Sequence, residues 1–285
     1  MKIFNVIGVK NSILIILSAL NILAITGCQK VINVDLNEAA PRIVIEGLIT
    51  DRRGSYTLTI SKSGSYFNQP ALQTISGAIA TITDDLNITD TLKESGPGVY
   101  YTTKLRGFPG RTYNLKVIAE DVEYDALSTM MSHVNIDSLK LFKSSSQRFD
   151  FGGNQNEPHY EIHCFFKDPP EKNFYRIRVF KNDSIDTQNY RLYDDQYTNN
   201  YFTELRVSSA SVGNTYRIEL LSLDKSTYGY FRTLADLIFT NPFFGSTPAN
   251  PNSNLSNGAL GYFGACAISS RTIVVTEDLI KQADR

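Results

Sequence analysis

Tyr56-Thr57-Leu58-Thr59-Ile60 is the stretch on which the fold turns. Large apolar side chains alternate with threonines, the period of a strand with one face in a core and one toward water. Working outward, the same texture recurs at Arg42 to Ile49, Ser55 to Ser61, Gly77 to Thr83, Asn87 to Glu94, Gly98 to Thr103, Arg111 to Ala119 and Asp121 to Thr129. Asp84-Asp85-Leu86-Asn87 and Gly96-Pro97-Gly98 punctuate these runs with residues that favour turns.

So many short strands over residues 41–131 predict a small β-sandwich of immunoglobulin or transthyretin type. Around residues 132–157 the pattern loosens, with Ser144-Ser145-Ser146 and Gly152-Gly153-Asn154 reading as loop, and Ile136 to Phe142 opens a second domain over 132–285. Strands resume at Tyr160 to Lys167, Phe174 to Lys181, Tyr201 to Val207 and Thr215 to Leu223. One helix is expected at about 227–240: Ser226 or Thr227 can cap it, Tyr230, Leu234, Leu237 and Ile238 share a face, and Asn241-Pro242 stops it. After a polar loop from Gly245 to Asn257, two late strands run from Leu260 to Ile268 and from Arg271 to Thr276. The expected architecture is mainly β, two β-sandwich domains in series with a single helix late in the second.

The N-terminus reads differently. Lys2 and Lys10 precede Ile13-Leu14-Ile15-Ile16-Leu17, an apolar run too short to span a bilayer comfortably, and the segment closes with Ile25-Thr26-Gly27-Cys28. A branched aliphatic, a small residue, a glycine and a cysteine in that order resemble the bacterial lipobox. The resemblance implies a signal peptide over 1–27, cleavage between Gly27 and Cys28, and lipid on the Cys28 thiol and new amino group, with 28–40 as tether. Several acyl chains on one cysteine hold a protein to a bilayer far more durably than one chain does. Gln29 stands where an aspartate would signal inner-membrane retention, so the expected address is the outer membrane, with the facing side left open.

Removing residues 1–27 takes away Lys2 and Lys10 and no acid, leaving 26 basic and 29 acidic residues. There is no basic stripe, which speaks against nucleic acid as a partner. Tyr and Phe number 16 each and Trp is absent, which favours strands. Apart from Cys28, Cys164 and Cys266 lie in apolar strand-like runs; they either pair in an oxidising compartment or serve as buried free thiols, and neither has a zinc-type spacing.

Three stretches carry a wider resemblance. They are Arg42-Ile43-Val44-Ile45-Glu46-Gly47-Leu48-Ile49-Thr50; then Gly96-Pro97-Gly98-Val99-Tyr100 leading into Gly110-Arg111-Thr112-Tyr113-Asn114-Leu115; then Tyr230-Phe231-Arg232-Thr233-Leu234 with Asn241-Pro242-Phe243 and Asn257-Gly258-Ala259-Leu260-Gly261-Tyr262-Phe263-Gly264-Ala265. Together they resemble the lipoprotein family catalogued as domain of unknown function 4249, from one phylum of Gram-negative bacteria. The resemblance implies an outer-membrane lipoprotein, often found beside TonB-dependent transporters of nutrient uptake, and supplies no active site. Asp90-Thr91-Leu92, Asp137-Ser138-Leu139 and Asp183-Ser184-Ile185 resemble the O-glycosylation tripeptide of the same phylum, which makes Thr91, Ser138 and Ser184 candidate glycan sites.

Chemistry in the residues themselves is sparse. His159-Tyr160-Glu161-Ile162-His163 on a strand would set His159, Glu161 and His163 on one face, with Ile162 and Cys164 turned inward. The outer two would stand roughly 13 Å apart between α-carbons, too far for one ion to take all three. No GxSxG elbow occurs, and His133, beside Met130 and Met131, reads as packing at the domain junction. Asp84/Asp85 and Asp194/Asp195 are adjacent on the chain and do not converge on one substrate atom, and Asp194, Asp195 and Asn199 lack the EF-hand spacing for calcium. Binding fits better. Tyr190, Tyr193, Tyr197, Tyr201 and Phe202 crowd a stretch that also holds Arg191, Asp194, Asp195, Asn199 and Asn200, which suits a sugar or a protein partner unless the rings fill the core. The loop from Phe243 to Asn257 is a second partner candidate.

The expectation is therefore a non-enzymatic accessory protein of the outer membrane that binds a glycan or peptide nutrient or a TonB-dependent transporter, without a cofactor or metal. A structural or adhesive envelope protein is the alternative. A metal-assisted hydrolase using His159 or His163 stands behind both.

Overall fold

The computed structural model describes residues 40–64, 73–144, 159–187, 190–195, 200–239 and 250–283. Cys28, and with it the expected signal peptide and cleavage site, lies outside them. The chain is mainly β. A first core is enclosed by β1 (Ile43–Thr50), β2 (Thr57–Lys62), β3 (Gln73–Thr74), β4 (Ile79–Asp84), β5 (Thr89–Thr91), β6 (Lys93–Gly96), β7 (Val99–Tyr101), β8 (Thr112–Ala119) and β9 (Val122–Thr129). A second is enclosed by β10 (Ile136–Lys143), β11 (Tyr160–Lys167), β12 (Phe174–Lys181), β13 (Ser184–Ile185), β14 (Arg191–Asp194), β15 (Phe202–Ala210) and β16 (Thr215–Leu223). β17 (Leu260–Val274) serves both.

Around the first core, β6-β7-β2-β1-β17 faces the four-stranded sheet β5-β4-β8-β9. Ile45, Ile49, Leu58 and Ile60 from one side meet Ile82, Tyr113, Leu115 and Val117 from the other, all nearly inaccessible to water. Each such side chain contributes about 1.5–3 kcal/mol by leaving water. The segment expected as one strand from Asn87 to Glu94 divides: β5 pairs with β4 and β6 with β7, and the chain changes sheets at buried Leu92. Glu120 and Asp121 join β8 to β9 as a two-residue hairpin with φ of 50° and 62°, the primed turn whose twist matches that of the strands.

The second core lies between β13-β12-β16-β17 and the three-stranded sheet β10-β11-β15. Tyr160, Ile162, Cys164 and Phe166 alternate inward from β11, and Tyr175, Ile177 and Val179 from β12. Both remaining cysteines are free and buried, Cys164 in this core and Cys266 on the far face of the sheet beneath a helix. Burial pushes both thiols up to about 12, which leaves them chemically quiet.

β17 is where the two late strands merge. Its first half, Leu260 to Cys266, runs parallel to β1, and its second half, from Ala267, runs antiparallel to β16. Strands from both sides of residue 131 therefore share one ten-stranded sheet, and residues Ala40–Arg285 form one unit. Gly261, at φ +89°, packs so closely on Ile45 O that a Cβ would collide with the carbonyl.

The helix α1 (Lys225–Phe239) covers the outer face of β16 and β17 with Tyr228, Tyr230 and Phe231 against Leu221, Leu223, Cys266 and Ile268. Its cap is Asp224, not Ser226 or Thr227. Asp224 Oδ1 accepts from Thr227 N at 2.7 Å and from Ser226 Oγ at 3.0 Å, while Oδ2 accepts from Thr129 N at 3.0 Å and from Ser128 Oγ. One carboxylate thus satisfies the free helix amide and ties the helix to β9. A short helix α2 (Glu277–Ala283), which the strand pattern did not predict, follows Thr276, whose Oγ1 accepts from Leu279 N at 3.3 Å. Among the described residues, no helix is long and apolar enough to cross a membrane.

Candidate functional site

The alternation that sends Ile162, Cys164 and Phe166 into the core sends Glu161, His163 and Phe165 to the outer face of β11. Register brings their neighbours. Lys140 of β10 lies opposite His163 and Phe142 opposite Glu161, while on β15 Arg206 lies opposite His163, Glu204 opposite Phe165 and Phe202 opposite Lys167. A bulge between Ile162 and His163 shifts the β15 register by one residue, and Arg206, Glu204 and Phe202 all pair on one side of it, where plain alternation keeps them on one face.

Three strands thereby build an aromatic ridge. Phe165 lies 5.9 Å from Phe202, nearly parallel at 25°, and 6.2 Å from Phe142; Phe142 in turn lies 4.7 Å from the His163 ring. Phe165 is covered by its neighbours, whereas Phe142 is 39% exposed, Phe202 63% and Tyr201 69%. Polar groups flank the rings. His163 Nδ1 is 2.7 Å from Glu204 Oε1, Arg206 Nη2 is 3.0 Å from Glu161 Oε1, and Lys140 Nζ sits 5.1 Å above the Phe165 ring. Exposed rings beside fixed donors and acceptors can stack on a flat apolar face and bond its polar rim.

The four tyrosines do not form one surface. Tyr190 is beneath α1, 6.3 Å from Phe231 and 6.5 Å from Phe239, with the Arg176 guanidinium 4.6 Å from its ring and 4.1 Å from that of Phe231. Burial pushes its hydroxyl up to about 12. Tyr193 packs on Phe166 and Tyr175 in the second core. Tyr197 lies outside the described residues. Of the three described tyrosines, Tyr190 and Tyr193 are half-buried and Tyr201, next in sequence to Phe202, is the exposed one. Sequence reasoning missed Phe142 and Phe165, although the period of β11 already places Phe165 with His163.

The other candidates are placed as follows. His163 and Glu161 share the outer face as expected, with His163 Nε2 3.7 Å from Glu161 Oε2, while His159 precedes the strand. Among the described residues, no three His, Cys, Asp or Glu side chains form a metal-holding group. His133 pairs with Asp51 at 2.7 Å, and Asp84 and Asp85 both receive Arg111. Of the Phe243-to-Asn257 loop, the described part closes the free edge of β9: Ser256 N donates to Asp125 O at 2.9 Å and Asn257 Nδ2 to Glu123 O at 2.6 Å. Beside it a cleft of about 570 Å³ is lined by Ser128, Asp224, Lys225 and Asn254, but its central carboxylate is already used by the helix cap and β9. Thr91 and Ser184 are exposed, Ser184 on the Asn182-Asp183 hairpin, and Ser138 is half-buried on β10.

No curated protein matches the chain. A family profile does, covering residues 29–272 and including both cores and the aromatic ridge. The chain belongs to the family described as a domain of unknown function (DUF4249).

Proposed function

We propose that this protein is a lipid-anchored accessory protein of the outer membrane, held through Cys28, that binds a glycan nutrient on the outer face of β10–β11–β15 for a TonB-dependent transporter. The observation that carries the reading is the ridge in which exposed Phe142 and Phe202 flank covered Phe165, with His163, Glu204 and Arg206 beside them. Sugar rings present apolar C–H faces to such rings and hydroxyls to such rims. The family's description assigns no activity, and the ridge offers contact area rather than a nucleophile with its base, so binding is the contribution we assign.

The purified protein is screened against a glycan array beside the Phe142→Ala/Phe202→Ala double variant. Glycan binding by the native protein, lost by tenfold or more in the folded double variant, supports the assignment. Equal binding by both proteins removes the ridge from it, and binding to a peptide library alone replaces the ligand class. Cross-linking in intact cells tests the partner: a transporter recovered in stoichiometric amount supports the accessory role, and recovery of none sinks it in favour of a stand-alone adhesive protein.

A further inference from the structure

At one end of the second core, where β11 and β14 stop and β12 and β15 begin, four backbone segments converge. Asp168 N donates to Tyr201 O at 3.0 Å, Asn200 N to Pro169 O at 3.4 Å, and Asp195 N to Asn173 O at 3.3 Å. Asn173 N returns the link, donating to Asp195 Oδ2 at 2.7 Å. Two carboxylates sit inside this knot, Asp168 at 0% exposure and Asp195 at 1%.

Each has one oxygen without a hydrogen bond. Tyr175 OH donates to Asp168 Oδ1 at 2.6 Å, and Asp168 Oδ2 is buried with no hydrogen-bond partner among the described residues. Among the described residues, Asp195 Oδ1 is met by the Lys172 ammonium alone, at 2.8 Å. A buried carboxylate is tolerated when it is paired, protonated or ligating a metal. Lys172 is half-exposed and its described ion pairs go to Asp194 and Asp195; among the described residues no ammonium or guanidinium is paired with Asp168.

We propose that Asp168 and Asp195 bind a divalent cation of the calcium class. The donors are oxygens throughout, with no imidazole or thiolate in the knot, which selects a hard cation over zinc or iron. Two carboxylates would be completed by backbone carbonyls of the same loops and by water, a mixed shell that calcium accepts more readily than magnesium does. Asp194 and Asp195 are adjacent in sequence, but the partner that makes a site is Asp168, supplied from the end of another strand. The site stands on its own carboxylates and does not depend on the ligand of the ridge.

Terbium, a luminescent calcium analogue, provides the test on the purified full-length protein. The chain has no Trp, and Tyr175 touches Asp168, so terbium in the knot would emit when tyrosine is excited, and substitution of Asp168 tells that signal from terbium beside another of the 16 tyrosines. Emission that calcium competes away, with a melting temperature raised by about 5 °C at hundredfold excess of calcium over Kd and restored by chelator, supports the site. Asp168→Asn should abolish both. Lys172→Met should keep the emission and tighten calcium binding, because the ammonium competes for Asp195 Oδ1; loss of emission in that variant counts against the site. A folded native protein with neither emission nor a calcium-dependent melting shift overturns the proposal. So does an Asp168→Asn protein whose calcium response equals that of the native protein, an outcome that would place the bound calcium elsewhere on the chain.

Discussion

Asp90 shows what a single residue does when its sequence context points elsewhere. Asp90-Thr91-Leu92 fits a glycosylation tripeptide, yet Asp90 is 2% exposed and accepts four bonds, from Thr103 N, Thr103 Oγ1, Lys104 N and Leu105 N at 2.6–2.8 Å. Burial opposes its charge, but the amides of Lys104, Leu105 and Thr103 and the Thr103 hydroxyl together hold its carboxyl below the ordinary range. A folded-state pKa below the unfolded one stabilises the protein above the unfolded value, about 3.9. That contribution is lost as pH falls through the folded pKa. Asp90→Asn places an NH2 against N–H donors and should cost about 1–3 kcal/mol at neutral pH. Urea unfolding at pH 7 and pH 3 checks this: the gap between native and variant should narrow at the lower pH, and a constant gap would show that the charge is irrelevant. Thr91, next in sequence, faces water and remains open to modification. Intact mass decides the three candidate hydroxyls together: a mass equal to lipidated polypeptide would remove them.

At the scale of elements, β17 was legible as strand but not as one strand. Ser269 and Ser270 interrupt its apolar run, and a reader of sequence ends a strand there. The structure continues through them because each half has its own partner, β1 and then β16, and partners are non-local. The same limit explains the ridge: the outward period of β11 is readable, while Phe142 and Phe202 join it only through register. Tyr190 and Tyr193 separate for a local reason. Residues three apart on an extended chain face opposite ways, so Tyr190 and Tyr193 part, one to the helix and one to the core. Helix α2 was missed because seven residues carry little periodic signal. Gly261 tests the importance of the β1–β17 contact. Gly261→Ala must strain a φ of +89° and displace Ile45 O, whereas Gly110→Ala, at φ +83°, meets no atom within 4 Å. The first should cost about 2–3 kcal/mol and the second about 1, read from urea midpoints. Equal losses would mean that the close approach is relaxed without penalty.

For the whole molecule, the shared strand turns two cores into a single folding problem. Phe263, Ala265 and Ala267 of β17 lie in the first core, and Ile273 packs on the second. Ties beside it run the same way: Asp224 of the helix cap holds Ser128 and Thr129, Asp51 Oδ1 accepts from Ile268 N at 3.0 Å, and Arg52 reaches buried Glu219 at 2.9 Å. Unfolding the second core would strip β17 of β16 and the helix of its sheet, leaving β1 beside a strand anchored on one side only. Two independent sandwiches would melt separately; a pair locked by β17 should unfold in one urea transition. Leu115→Ala in the first core and Ile218→Ala in the second, both at 0% exposure, should each lower the whole transition by about 2–5 kcal/mol, followed by tyrosine fluorescence and far-ultraviolet circular dichroism. Two steps, with each variant moving only its own, would show that the shared strand does not couple the cores. A single step ties the aromatic ridge, at the far side of the second core, to the integrity of the first. Changes beneath either sandwich that leave part of the protein unfolded should then lower the glycan binding proposed for the ridge without touching it.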